Sequence, residues 1–162
     1  MREAISASHD GRLLHGTSHI GPAAGDVGIL FINSGTLPRS SRGDLYAHLA
    51  DALAERGFKS FRFDLPGLGD SQGEVPGEFV EFYEVVQEGA YADCIAALAR
   101  DMRKRYGLKA IVLAGICGGA QTSVFAAAKN KGEGVAGLIL LDMPFFLYML
   151  SLIHISEPTR PY

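Results

Sequence analysis

Apolar residues along this chain fall into two alternating patterns. Continuous apolar runs at residues 27–33 (VGILFIN), 110–114 (AIVLA) and 135–142 (VAGLILLD) predict buried strands, and residues 59–64 (KSFRFD) predict another. Between these runs the spacing is helical. Leu45, Leu49, Ala52 and Leu53 fall on one face, with Asp44 placed to cap the start and Gly57 the end. Tyr91, Cys94, Ile95, Leu98 and Met102 mark a second helix that Gly107 closes, and residues 121–130 (QTSVFAAAKN) a third. Residues 3–8 and 12–20 predict two short strands about His9-Asp10-Gly11, a hairpin signal. Residues 72–84, polar and carrying Gly and Pro, read as a surface excursion.

A hairpin followed by alternating strands and helices predicts an α/β fold. The expected architecture is a three-layer sandwich whose sheet is mostly parallel, with an N-terminal antiparallel hairpin. No internal repeat and no domain-dividing linker interrupts it.

The 162 residues suffice for one domain with a sizeable core. A net charge of −3 without a basic block argues against nucleic acid as a partner. The longest apolar stretch, 138–155, is broken by Asp142, Pro144 and His154, which argues against a membrane span. The first twelve residues have no apolar centre, so they do not read as a signal peptide, and a cytoplasmic location is expected. In that setting Cys94 and Cys117 are not expected to pair. Nothing indicates a cofactor or a metal. Gly67-x-Gly69 lacks a third glycine at nucleotide-binding spacing.

The chemistry concentrates in Gly115-Ile116-Cys117-Gly118-Gly119, where a buried strand runs into a helix of small residues. A nucleophile on such a turn is the elbow arrangement, usually G-x-S-x-G and here G-x-C-x-G. Gly115 and Gly119 serve the crowding around the turn, since side chains two positions either side would collide. Cys94, on the apolar face of its helix, is expected to pack in the core. Asp64 and Ser71 are expected to shape a turn.

These residues resemble the α/β-hydrolase fold over residues 2–149. The hairpin at Asp10-Gly11 is similar to that fold's first two strands, and residues 27–36 to its third strand and oxyanion loop. Residues 62–71 (RFDLPGLGDS) are similar to its R-F-D-x-x-G-x-G-x-S stretch, and Gly115 to Gly119 to its elbow. Within the fold, the cysteine elbow resembles the dienelactone hydrolases and, in general look, the exosortase-associated hydrolases. The resemblance implies Cys117 as nucleophile and the N–H of Gly118 as one oxyanion donor. A second N–H would come from Thr36, with Gly35 allowing close approach. The expected substrate is a small molecule with an ester, thioester or lactone carbonyl, and the oligomeric state is left open. The same local sequence, G-I-C-G-G-A-Q, is also similar to the class I glutamine amidotransferases. The opening hairpin and the turn at residues 63–71 favour the hydrolase over that alternative. A binding module that keeps the fold without the chemistry is the other alternative.

The resemblance implies a general base and an acid beyond the sixth strand. His9, His15, His19 and His48 all precede the elbow and are expected to be surface or edge residues. Asp142, at the end of the sixth strand, is a possible acid, though a strand-end turn role is the simpler expectation. Residues 150–160 (LSLIHISEPTR) resemble the translation of a transposase-type sequencing adaptor, so residues 150–162 are expected to be a non-native tail. His154 and Glu157 would then carry no chemistry. A chain ending there leaves the sheet unfinished and is expected to be inactive and poorly soluble.

Overall fold

The structure, a computed structural model, describes residues 1–75, 77–129 and 134–144. Strands β1 (Arg2–His9) and β2 (Arg12–Ile20) form the expected hairpin, in register from Arg2 opposite His19 to His9 opposite Arg12. Strands β3 (Val27–Ile32), β4 (Lys59–Phe63), β5 (Ala110–Ile116) and β6 (Val135–Leu141) follow. The sheet order is β1-β2-β4-β3-β5-β6. β4 pairs antiparallel with β2, and β4, β3, β5 and β6 run parallel. The sheet is therefore mostly parallel with an antiparallel N-terminal hairpin, as the sequence predicts.

Helices cover both faces. Helix α1 (Leu45–Glu55) lies on one; α2 (Phe79–Gln87), α3 (Ala92–Tyr106) and α4 (Gly118–Lys129) lie on the other. Strand alternation sorts the core between them. Leu30, Ile32, Phe61, Phe63, Ile111 and Leu113 meet Ile95, Leu98 and Met102 on the side of α3. Ile29, Phe31 and Ala114 meet Tyr46 and Ala50 on the side of α1. Complete burial of such a side chain is worth roughly 1.5–3 kcal/mol.

Four expectations need correction. In α1 the inward residues are Tyr46, Ala47, Ala50 and Ala54, whereas Leu45 and Leu49 are exposed. Small residues let the helix sit close to the sheet, and the leucines flank the contact. Asp44 precedes α1 with a left-handed backbone (φ 56°) and makes no side-chain cap. Residues 72–84 are not all excursion. Glu78 and Glu81 close a capping box that starts α2, and Phe82 and Val86 bury its inner face. Finally, His19 is not at the surface. It is wholly buried, with Nδ1 2.7 Å from Asp51 Oδ1 and Nε2 accepting from Arg62 Nε at 3.0 Å.

β6 is the last strand of the described sheet, and Leu138, Ile139 and Leu141 are exposed on it. Beside it an apolar groove of about 350 Å³ runs between α1 and β5–β6, walled by Leu49, Leu53, Ile116, Ile139 and Leu141. No helix among the described residues is long and apolar enough to cross a membrane. The proposed tail, residues 150–162, lies outside the described residues.

Candidate active site

Cys117 is the residue on which β5 turns into α4. Its backbone is left-handed, with φ 55°, a conformation that costs a side chain about 1–2 kcal/mol relative to the right-handed one. Hydrogen bonds on every side hold it there. Cys117 N donates to Leu141 O (3.0 Å), tying the turn to β6. Cys117 O accepts from Ala120 N (2.9 Å) and Gln121 N (3.3 Å), opening the helix. One residue earlier β3 has already ended, so Ile116 N has no strand partner on that side. The hydroxyl of Tyr46 takes its place at 2.9 Å. Burial pushes the Tyr46 phenol up to about 12, so it stays neutral across the physiological range.

The glycines answer to contacts. A Cβ on Gly119 would lie 2.6 Å from the carbonyl oxygens of both Ile32 and Asn33, and one on Gly115 would overlap the Gly119 carbonyl. The turn thus packs backbone to backbone against the end of β3.

The loop after β3 is fixed from below. Asn33, 3% exposed, donates from Nδ2 to Leu37 O (2.9 Å) and accepts on Oδ1 from Leu65 N (3.1 Å). Asp64 is fully buried and accepts from Arg39 N (2.6 Å) and Asp70 N (3.1 Å); it also pairs with the Arg39 guanidinium. Ser71 Oγ donates to Asp64 O (2.7 Å) and accepts from His15 N (2.9 Å). Asp64 and Ser71 do shape a turn, and that turn also carries the loop at residues 34–39.

This arrangement brings Gly35 beside Gly118: a Cβ added to Gly118 would sit 3.7 Å from Gly35 N and 3.2 Å from Val86 Cγ1 of α2. A cavity of about 480 Å³ opens there. Gly35, Thr36, Leu45, Tyr83, Cys117 and Asp142 are among the residues lining it. Cys117 is a free, partly exposed thiol. Asp142 reaches the rim from the end of β6 in a left-handed conformation, φ 47°. Tyr83 also lines the cavity, and the sequence does not point to this residue because a Gly- and Pro-containing stretch conceals α2. Its only signal was the E-x-x-E capping box ahead of Phe82 and Val86.

The other residues singled out fall elsewhere. Cys94 is buried on α3, and loss of hydration pushes its thiol up to about 12, so it is unreactive at neutral pH. Among the described residues no histidine lines the cavity at Cys117. His154 and Glu157 lie outside the described residues. No group of His, Cys, Asp and Glu suited to a metal ion forms among the described residues.

Comparison with known proteins gives the fold a family. Among solved structures, the chain superposes on a cold-adapted esterase from an Arctic intertidal metagenomic library with TM-score 0.66 and 20% identity, covering 86% of this chain and 59% of that one. An α/β serine hydrolase without a lid from Xanthomonas campestris gives TM-score 0.66 and 23% identity, covering 93% and 65%. An epoxide hydrolase from Vigna radiata gives TM-score 0.67 and 20% identity, covering 90% and 39%. The chain thus spans less than two thirds of the length of each of these three proteins. No curated protein matches it. The family model described as alpha/beta hydrolase fold matches residues 29–161, from β3 through the turn at Cys117 and beyond, and the chain belongs to the α/β-hydrolase fold family.

Proposed function

We propose that this chain carries the nucleophile of a hydrolase and that Cys117 attacks the carbonyl carbon of an ester, thioester or lactone. The observation that carries the reading is the left-handed Cys117 at the strand-to-helix reversal, with its thiol facing a cavity. Strain of this kind at a turn persists only where its surroundings enforce it, and it aims a side chain away from the sheet.

In the reaction, the thiolate forms a C–S bond to the carbonyl carbon. The carbonyl electrons move onto oxygen, where the N–H of Gly118 and an N–H of the Gly35–Thr36 segment would receive them. Loss of one such donor typically costs about 3–4 kcal/mol of transition-state stabilisation. The intermediate collapses, the bond to the leaving alkoxide or thiolate breaks, and that group takes a proton. Water then adds to the acyl-enzyme, releasing the acid and restoring the thiol. In our reading the general base comes from outside the described residues, and Asp142, at the cavity rim, is a candidate for the acid that would orient it, beside its strand-end turn role. The hairpin β1–β2 and the turn at residues 64–71 are both present, and they are the features that favoured a hydrolase over an amidotransferase.

The test is single-turnover acylation with a p-nitrophenyl ester and an activated thioester, read by mass spectrometry of the intact chain and its peptides. The expected result is one acyl group on Cys117 and none in Cys117→Ala. Acylation elsewhere, or an unmodified Cys117 while Cys117→Ala still cleaves the ester, would show that the thiol is not the nucleophile. Acylation needs only the thiol and the oxyanion donors, so it is expected even of a chain that does not turn over, and a wild-type chain that takes up no acyl group would favour a binding module.

A further inference from the structure

We propose that a second cavity, beside the first turn of α1, binds a phosphate group. It measures about 410 Å³, and residues 38–40 wall it, the continuation of the loop whose residues 34–37 line the Cys117 cavity. The proposal does not depend on Cys117 being a nucleophile.

Three guanidinium groups face this space: Arg2, Arg39 and Arg62. Strand alternation puts Arg62 there. Phe61 and Phe63 turn to the core beneath α3, so Ser60 and Arg62 turn to the face beneath α1, opposite His19 and Thr17 of β2. Arg62 is 5% exposed. Its Nε donates to His19 Nε2 (3.0 Å) and its Nη1 to Arg39 O (3.2 Å). Because a guanidinium only donates, His19 must present a lone pair at Nε2 and its proton at Nδ1, toward Asp51. Arg62 makes no ion pair among the described residues, and its Nη2 makes no hydrogen bond there. A buried charge without a direct counter-ion is costly, and an anion entering the cavity would relieve that cost.

The other two arginines each keep one terminal nitrogen in reserve. Arg2 spends Nε and Nη2 on Asp51, leaving Nη1; Arg39 spends Nη1 on Asp64 and Asp70, leaving Nη2. Two carboxylates also line the cavity. Asp70 is engaged by Arg39, and Asp44 is exposed with no ion pair among the described residues. Asp44 opposes any anion, so the site favours a ligand that meets several guanidinium donors at once. A carboxylate offers two oxygens; a phosphate offers three or four, which fits three guanidinium groups. The hydroxyls of Thr17 and Ser40 stand on the same wall.

The experiment uses the full chain at constant ionic strength, with calorimetric titration and thermal unfolding against inorganic phosphate, phenyl phosphate, acetate and chloride. Phosphate is expected to bind at least tenfold more tightly than acetate and to raise the Tm, with no effect of chloride. Equal binding of both phosphates points to the free ion; tighter binding of phenyl phosphate points to a phosphate on a larger molecule. Arg62→Gln should abolish the effect. Ser40→Asp, which adds a carboxylate at the partly exposed wall and leaves the arginines in place, should abolish it too and keeps the test valid if Arg62→Gln does not fold. Phosphate acting no differently from chloride, or an unchanged phosphate effect in Ser40→Asp, overturns the proposal.

Discussion

Replacing Tyr46 by Phe isolates one hydrogen bond beneath the elbow. The ring survives, 2% exposed and 5.0 Å from that of Phe31, so packing is retained and only the hydroxyl is lost. That hydroxyl is the partner of Ile116 N at 2.9 Å, where β3 no longer reaches. Leaving a buried donor unpaired costs about 1–3 kcal/mol. The apolar groove on that side runs past both Tyr46 and Ile116, so a water reaching the amide would bring the cost to the lower end. For a domain of this size the loss lowers the Tm by about 2–4 °C per kcal/mol. Because Ile116 immediately precedes Cys117, a looser anchor should also slow ester acylation, by about tenfold if 1.4 kcal/mol of positioning is lost. Urea unfolding and stopped-flow acylation measure the two quantities. If Tyr46→Phe matches the wild type in both, the hydroxyl does not hold the turn, and the account of why the elbow keeps its strained backbone is wrong.

Two further outcomes follow from the same geometry. Gly119→Ala places a methyl 2.6 Å from two backbone carbonyls, so it should destabilise by about 3 kcal/mol or more, whereas Gly137→Ala, whose methyl first meets Val112 at 3.9 Å, should be close to neutral; thermal unfolding of the pair decides. Burial, only partly offset by Asp51, lowers the pKa of His19 below its usual value, so the neutral ring belongs to the folded state. The unfolded chain takes up a proton near pH 6.5 and the folded one only at lower pH. Stability should therefore be full above pH 6.5 and fall as the pH drops toward 5, by up to about 1.4 kcal/mol per pH unit, and a flat urea midpoint over that window would contradict the assignment.

The parallel strands were legible in the sequence because burial on both faces leaves unbroken apolar runs. The strand-to-helix turn at Cys117 was legible because glycines two positions either side of a residue mark a crowded reversal. Helix α1 was misread for a physical reason: its sequence carries two apolar stripes one residue apart, and hydrophobicity favours the larger leucines. The sheet instead receives Tyr46, Ala47, Ala50 and Ala54, since close approach rewards small side chains. The burial of His19 could not be read from its own position on β2. It depends on Asp51 of α1 and Arg62 of β4, partners that only the tertiary fold delivers. Tyr46 likewise reaches the turn at Cys117 from a helix distant in sequence, and Tyr83 reaches the cavity from a helix that a Gly- and Pro-containing stretch conceals.

The strand order also dictates a timetable for synthesis. β3, at the middle of the sheet, is flanked by β4 and β5, both of which are translated after it. The hairpin can zip up as soon as residue 20 has emerged, but the segment VGILFI has no neighbour until residue 63 has followed and is not enclosed until residue 116 has. Throughout that interval a nascent chain presents a sticky, unpaired hexapeptide. Ribosome-bound intermediates between those lengths should be the ones that recruit chaperones or clump.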